Sequence, residues 1–263
     1  MRQARVTILY NDNIGPSYFQ MGLTWPQEPA VPGQFVMVKV SDCAEILLRR
    51  PFSICAVIRS KGDPVGIELL YKVVGRGTKL LSKYRKNDQL DILGPLGKGF
   101  DLKDFSGPHF FVAGGIGVAP IRFLAEYLAD LGKDLNSCQV FLGGRSRTDL
   151  LCQKNFLGLG VPVILTTDDG SAGDQCLVTH PVELALQHSR PKGIFACGPG
   201  PMLTCIAGIV QKYQIPCQVS IETMMACGMG ACLGCAVESA ENSNRYLHAC
   251  LDGPVFNINQ ITL

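Results

Sequence analysis

The chain has 263 residues, enough for two modest domains and a small module. Its net charge of +2 gives no electrostatic reason to expect nucleic acid or an anionic membrane surface as a partner. Hydrophobic residues at 47% exclude wholesale disorder, and twelve cysteines fall short of the roughly 8–10% that marks a disulfide scaffold.

The first fifteen residues, MRQARVTILYNDNIG, hold no apolar run followed by a small-residue cleavage site. No stretch of about 18 uncharged apolar residues occurs, so no transmembrane helix is expected. The expected compartment is the cytoplasm, with the cysteines reduced, buried or metal-bound rather than paired.

Residues 4–9, 35–40, 52–58, 67–73 and 90–93 are short apolar or β-branched runs between Gly, Pro and Asp clusters. That spacing predicts an antiparallel barrel or sandwich over residues 1–102, with no helix of convincing length. Within it, Arg49-Arg50-Pro51-Phe52-Ser53 pairs a guanidinium with an aromatic ring and a hydroxyl. It reads either as a phosphate and ring contact or as a surface Arg pair before an edge strand. Gly75-Arg76-Gly77-Thr78 reads either as a phosphate loop or as a hairpin turn.

The pattern changes after residue 102. A run at 109–113 leads into Gly114-Gly115-Ile116-Gly117, with Pro120 in the first turn of a predicted helix whose apolar residues are Ile121, Leu124, Ala125 and Leu128. Further strands are predicted at 139–142, 162–166 and 193–197. The last leads into Gly198-Pro199-Gly200-Pro201 and a helix from Met202 to Tyr213. Strands alternating with helices predict a parallel α/β domain over residues 103–216. Two Gly-rich strand-to-helix turns point to a dinucleotide, because such turns admit phosphate to helix N-terminal N–H groups. Asp168-Asp169-Gly170 reads as an acidic turn. The four histidines show no ligand spacing.

Residues 217–263 form a Gly-rich, cysteine-centred module. Cys227, Cys232 and Cys235 follow C-x4-C-x2-C spacing, and Cys250 comes after fourteen further residues. This is the spacing of a plant-type 2Fe–2S site, with structural zinc or buried thiols as the alternatives. Gly228, Gly230 and Gly234 let the loop wrap tightly. Three cysteines are set by spacing; the fourth ligand is Cys250, Cys217 or Cys205.

The Arg50–Ser53 motif, Gly75–Thr78, the Gly114–Pro120 turn and Cys197-Gly198-Pro199-Gly200-Pro201-Met202, in this order, resemble the ferredoxin–NADP+ reductase superfamily. The segment from Ser220 to Cys235, with Cys250-Leu-Asp-Gly-Pro-Val-Phe, is similar to the electron-transfer subunits of class 1B dihydroorotate dehydrogenases. This resemblance implies an oxidoreductase subunit with an FAD barrel, an NAD(H) domain and a 2Fe–2S module. Arg50, Pro51, Phe52 and Ser53 match the flavin motif, with Ser53 near the reactive edge. Leu70, Tyr71, Lys72, Gly77 and Thr78 match a second FAD contact region. Gly114, Gly115, Gly117, Pro120, Gly198, Pro199 and Met202 match the NAD(H) turns, with Cys197 near the nicotinamide. Cys227, Cys232, Cys235 and Cys250 match the cluster ligands, and Phe52 departs from the superfamily's usual Tyr. Arg145 and Arg147 follow a strand near where the superfamily reads the adenosine ribose, as a 2′-phosphate contact or as surface charge. The implied partner is an FMN-containing catalytic subunit in a heterotetramer of two and two, passing electrons to NAD+ in pyrimidine biosynthesis. The alternatives are a ferredoxin-, sulfide-linked or bifurcating reductase subunit of the same build, a non-enzymatic redox or nucleotide sensor, and a zinc-stabilised nucleotide-binding module.

Overall fold

Alternation shapes the first third of the chain. In β1 (Arg2–Gly15) Val6 and Ile8 point inward between outward polar residues, and the same period places Met21, Leu23, Val36, Val38, Ile67 and Leu69 in one core. The computed structural model describes residues 2–25, 30–41, 46–242 and 244–263. With β2 (Tyr18–Thr24), β3 (Phe35–Lys39), β4 (Arg50–Ser60), β5 (Asp63–Lys72) and β6 (Gln89–Leu96), β1 closes an antiparallel barrel in the order β1-β2-β5-β4-β3-β6. Closure leaves no free edge for intermolecular pairing.

Two elements of this half were not expected. β2 is broken as an apolar run by Gln20 and Gly22, and a Cβ at Gly22 would strike the Tyr10 ring on the neighbouring strand. The Gly75–Thr78 segment, expected as a loop or hairpin turn, opens α1 (Arg76–Leu81) instead. Thr78 Oγ1 accepts from the Val74 and Gly75 N–H groups at 2.9 and 3.1 Å and so caps this single turn.

A six-stranded sheet of order β14-β11-β10-β7-β8-β9 forms the second half. Its parallel strands are β7 (His109–Gly114), β8 (Gln139–Gly144), β9 (Val163–Thr167), β10 (Gly193–Cys197) and β11 (Cys217–Ser220). Both faces are covered. Phe110 and Val112 pack beside α4 (Thr179–His188) and α5 (Gly200–Tyr213), while Phe111 and Ala113 pack beside α2 (Val118–Asp130) and α3 (Gln153–Gly158). Burial on two sides is why β7 reads as an uninterrupted apolar run. The short helices α3 and α4 carry too few apolar residues on their buried faces to show a helical period.

The cysteine module is not detached from this framework. β12 (Ala236–Glu238) and β13 (Tyr246–His248) form a separate hairpin-like pair, and β14 (Val255–Asn257) returns to pair antiparallel with β11. Cys235, Ala249, Cys250 and Phe256 share one core with Phe35, Met37, Leu93 and Leu96 of the barrel. Among the described residues no helix is long and apolar enough to cross a membrane.

Candidate functional site

The two glycine-rich turns meet at the C-terminal ends of β7 and β10, where open parallel sheets bind ligands. A Cβ at Gly114 would lie 2.8 Å from Met202 Sδ and 2.9 Å from Pro199 Cδ. One at Gly117 would strike the Cys197 carbonyl oxygen, and one at Gly198 would lie 2.6 Å from Met202 Cε. Only glycine allows this approach of the two turns. They floor a cleft of about 610 Å³ that Gly115, Gly143, Gly144, Arg145, Thr166, Asp168 and Glu222 also line, with Tyr18, Lys72 and Val74 from the barrel side. Pro120 is buried in the first turn of α2, outside the lining. The Thr166 hydroxyl is fully buried at the cleft and has no partner among the described residues. A ribose hydroxyl or phosphate oxygen would satisfy it, so the donor set fits a nucleotide.

Cys197 is 2% exposed, and its backbone carbonyl rather than its thiol meets the Gly117 turn. Burial, and then the Glu222 carboxylate, push its thiol far up, so it stays neutral. Glu222 itself reaches cleft solvent while surrounded by protein, and desolvation raises its carboxyl. The sequence reading missed this residue. Its signal was position: an acidic side chain two residues beyond the end of β11. Arg145 lines the cleft, whereas Arg147 is engaged elsewhere, donating from Nε and Nη2 to the Ser171 carbonyl at 3.0 and 2.7 Å.

The flavin-like motif lies at the start of β4, paired with β3: Arg50 opposite Val38, Pro51 opposite Met37, Phe52 opposite Val36 and Ser53 opposite Phe35. The α1 turn comes up beneath it. A Cβ at Gly77 would lie 3.2 Å from Arg50 Nε, so glycine lets the guanidinium lie over the helix start. A fixed cation beside the first turn of a helix suits the diphosphate of a dinucleotide-type flavin. Phe52 meets Tyr71 edge-on at 5.7 Å, and Tyr71 stacks on Phe19 at 5.5 Å. Leu70 and Tyr71 are buried and pair with Gln20 and Phe19 of β2. Lys72 points away from the motif into the cleft, where its Nζ lies 3.1 Å from Asp149 Oδ1. Tyr18 donates to the same oxygen at 2.5 Å.

The cysteine loop wraps as its glycines demand. Gly228 and Gly230 have φ of +71° and +82°. A Cβ at Gly228 would lie 2.5 Å from Met37 Cγ, and one at Gly230 would strike Leu251. Gly234 has no such constraint; the left-handed position beside it is Leu233, φ 58°. Backbone N–H groups point at sulfur: Met229 and Cys232 donate to Cys227 Sγ at 3.4 Å, and Gly234 donates to Cys232 Sγ at 3.5 Å. Those bonds hold the Cys227 thiol at about 7 against the opposing effect of burial. Cys250 Sγ lies 3.2 Å from Cys235 Sγ, and both residues are buried. The sulfurs thus fall into two pairs, Cys227 with Cys232 and Cys235 with Cys250. Among the described residues no three His, Cys, Asp or Glu side chains converge on one ion position. Two thiol pairs fit a two-metal cluster better than a single tetrahedral zinc. Cys205 sits on α5 at the cleft and Cys217 is buried in β11, neither beside these sulfurs.

Two family models match the chain: the iron–sulfur cluster binding domain of dihydroorotate dehydrogenase B over residues 222–262, and an oxidoreductase NAD-binding domain over residues 111–208. A dihydroorotate dehydrogenase B (NAD(+)) electron transfer subunit from Desulforamulus reducens is 38% identical over 96% of this chain and 95% of that protein. Its counterpart from Geobacillus sp. is 34% identical over the full length of both. Among solved structures, an NADH-dependent reduced ferredoxin-NADP oxidoreductase studied for flavin-based electron bifurcation superimposes with a TM-score of 0.83 at 26% identity, over 98% of this chain and 90% of that one. A ferredoxin NADP+ reductase from Neisseria gonorrhoeae, with bound FAD and NADP, shares the fold with a TM-score of 0.68 at 13% identity, over 81% and 92%.

Proposed function

This chain belongs to the family of dihydroorotate dehydrogenase B (NAD(+)) electron transfer subunits, and from that premise we propose how its residues divide the work. The observation that carries the proposal is adjacency. Gly228 of the cysteine loop abuts Met37, and Met37 is the strand partner of Pro51 in the flavin motif. The nucleotide cleft opens on the other side, against Lys72 and Tyr18 of the barrel.

Arg50 and the N–H groups of α1 hold the diphosphate of FAD, Phe52 packs beside its ring system, and Ser53 supplies a hydroxyl at the ring edge. Gly114, Gly117 and Gly198 keep the cleft floor flat enough for nicotinamide to reach that ring, while Thr166 and Arg145 bind the adenosine end. Cys227, Cys232, Cys235 and Cys250 ligate a 2Fe–2S cluster, and the loop N–H groups stabilise the charge on its sulfurs. Flavin exchanges a hydride with nicotinamide and single electrons with an iron–sulfur cluster, which is why one chain holds both. No residue here is placed as a general base for dihydroorotate; that chemistry belongs to the partner, an FMN-containing catalytic subunit in a two-plus-two assembly. Eleven free cysteines among the described residues accord with the cytoplasm as the compartment.

The test is division of labour. The purified chain should oxidise NADH with artificial acceptors and leave dihydroorotate untouched, and adding the catalytic subunit should produce dihydroorotate-driven NAD+ reduction. Dihydroorotate turnover by the single chain, free of partner, overturns the assignment. The 0.83 TM-score to the ferredoxin-NADP oxidoreductase favours one second reading, a bifurcating reductase subunit. Co-purification with a different flavoprotein would establish that instead.

A further inference from the structure

Cys55 and Cys152 meet at the seam between the barrel and the nucleotide-binding half, and neither has a role in the flavin, nucleotide or cluster sites. Along β4 the ladder to β5 slips: Ile54 pairs with Leu69 and Ala56 with Glu68, which leaves Cys55 as the extra residue of a β-bulge. A bulge re-aims the side chain it carries. Ile54 faces the barrel core, whereas Cys55 joins the core beneath α2 and α3. Cys152 stands at the start of α3 in a left-handed conformation, φ 61°, uncommon for a residue with a side chain. Cys152 packs against the core that holds Cys55, with the two thiols as neighbours. Arg122 of α2 donates from Nη1 to Cys55 Sγ at 3.6 Å and is itself held by Glu68 at 2.6 Å and Glu126 at 2.8 Å.

The two thiols are unequal. Cys55 is fully buried, while Cys152 is partly open. Contact with Cys55 and the Arg122 guanidinium outweigh burial and lower the Cys152 thiol, and the Cys55 thiol is pushed up by the same contact and by desolvation. A lowered thiol on a partly exposed residue, beside a second thiol, is the arrangement of a peroxide-sensitive pair.

We propose that Cys55 and Cys152 are an oxidation site, at which a hydroperoxide joins the barrel to the nucleotide-binding half by a disulfide and slows flavin reduction by NADH. The Cys152 thiolate attacks hydrogen peroxide; an S–O bond forms, the O–O bond breaks, and the departing hydroxide leaves as water after taking a proton. Cys55 sulfur then displaces the hydroxyl from the Cys152 sulfenic acid; the S–S bond forms, and the Cys55 proton departs with the oxygen as a second water. The two thiols lose two electrons and one peroxide gains them. Cys152 lies three residues beyond Asp149, whose carboxylate holds Tyr18 and Lys72 at the cleft. A covalent tie there pins the turn that carries Asp149 and fixes the two halves against each other. The kinetic part rests on the flavin and nucleotide sites proposed above; the crosslink does not.

The full-length chain, loaded with flavin and cluster, is exposed to hydrogen peroxide below the concentration that bleaches the cluster, then alkylated and mapped by peptide mass. A Cys55–Cys152 crosslink that dithiothreitol reverses is expected, with none in Cys152→Ser. Dimedone should trap a sulfenic acid at Cys152 in Cys55→Ser, and Cys55→Ala serves should that variant misfold. In the crosslinked chain, flavin reduction by NADH should fall about threefold or more and recover on reduction, while peroxide-treated Cys55→Ser keeps its rate. Both cysteines still open to alkylation after treatment, or a fully crosslinked chain reducing flavin at the untreated rate, overturns the proposal. An untreated chain whose bound flavin NADH does not reduce counts against the function proposed above, while the mass reading still decides the thiol pair.

Discussion

The nucleotide cleft and the cysteine loop solve the problem of holding a ligand in different ways. The cleft is walled by strand ends and helix starts of a sheet buried on both faces, and the barrel is tied to it by charged groups: Arg122 reaches Glu68 at 2.6 Å, and Lys72 reaches Asp149 at 3.1 Å. Residues 222–235 of the loop contain no helix or strand. Cys235 and Cys250 are buried in a shared core, but Cys232 is exposed and Cys227 only half-buried. The cleft is preorganised by packing. The loop depends on the metal to finish what its glycines and N–H groups begin, and metal binding there contributes folding free energy.

Four perturbations break or sharpen that contrast. The largest effect is expected from Cys250→Ser: the cluster's visible and EPR signals should be lost, while FAD and NADH binding persist. Cys205→Ser and Cys217→Ser should leave the EPR spectrum unchanged, and loss of signal in either would reassign the fourth ligand. Next comes Arg122→Met, which leaves Glu68, 6% exposed, as an uncompensated buried charge. That should cost about 3–5 kcal/mol, read by denaturant unfolding, and Glu68→Gln in the same chain should recover part of it. Gly117→Val drives a side chain into the Cys197 carbonyl, an overpacking of about 1–3 kcal/mol. NADH-driven flavin reduction should slow about tenfold or more in stopped flow with the cluster spectrum intact.

The smallest effect concerns pH. Burial acts to raise the Asp149 carboxyl, but hydrogen bonds from Tyr18 and Lys72 outweigh it and hold it below its ordinary value. The unfolded chain therefore takes up that proton first as pH falls. The stability Asp149 contributes is full above the ordinary carboxylate value and disappears as pH drops through the lower, folded value. Asp149→Asn should flatten that acid limb of the stability profile.

The sequence showed the elements that depend on local pattern. The strands at 35–39 and 193–197 follow from runs of apolar residues, and the cysteine spacing follows from the chemistry of ligation. β2 was hidden because Gly22 answers to the Tyr10 ring on another strand, and α1 because one turn has no period to read. In the site, the glycine turns and the Arg50 motif were legible as motifs. Glu222 and the Tyr18–Lys72–Asp149 contact were not, since nothing local distinguishes an acidic residue that will face a cleft from one that will face water. Lys72 shows the limit: the reading grouped it with the flavin contacts, while its side chain reaches the nucleotide side through a partner 77 positions away.

The return of the chain after Cys250 bears on the order of events during synthesis. β14 adds to the sheet edge at β11, the Lys98 N–H donates to the Gly253 carbonyl at 2.5 Å, and the Ile221 N–H donates to the Pro254 carbonyl at 3.0 Å. All these partners, and the barrel and parallel strands that hold them, leave the ribosome before the segment that completes them. Domains generally fold in the order they emerge. On that order the scaffold stands before Cys250 and β14 arrive, and with the ligand set proposed above the fourth sulfur comes in only with the segment that adds β14 to the sheet edge.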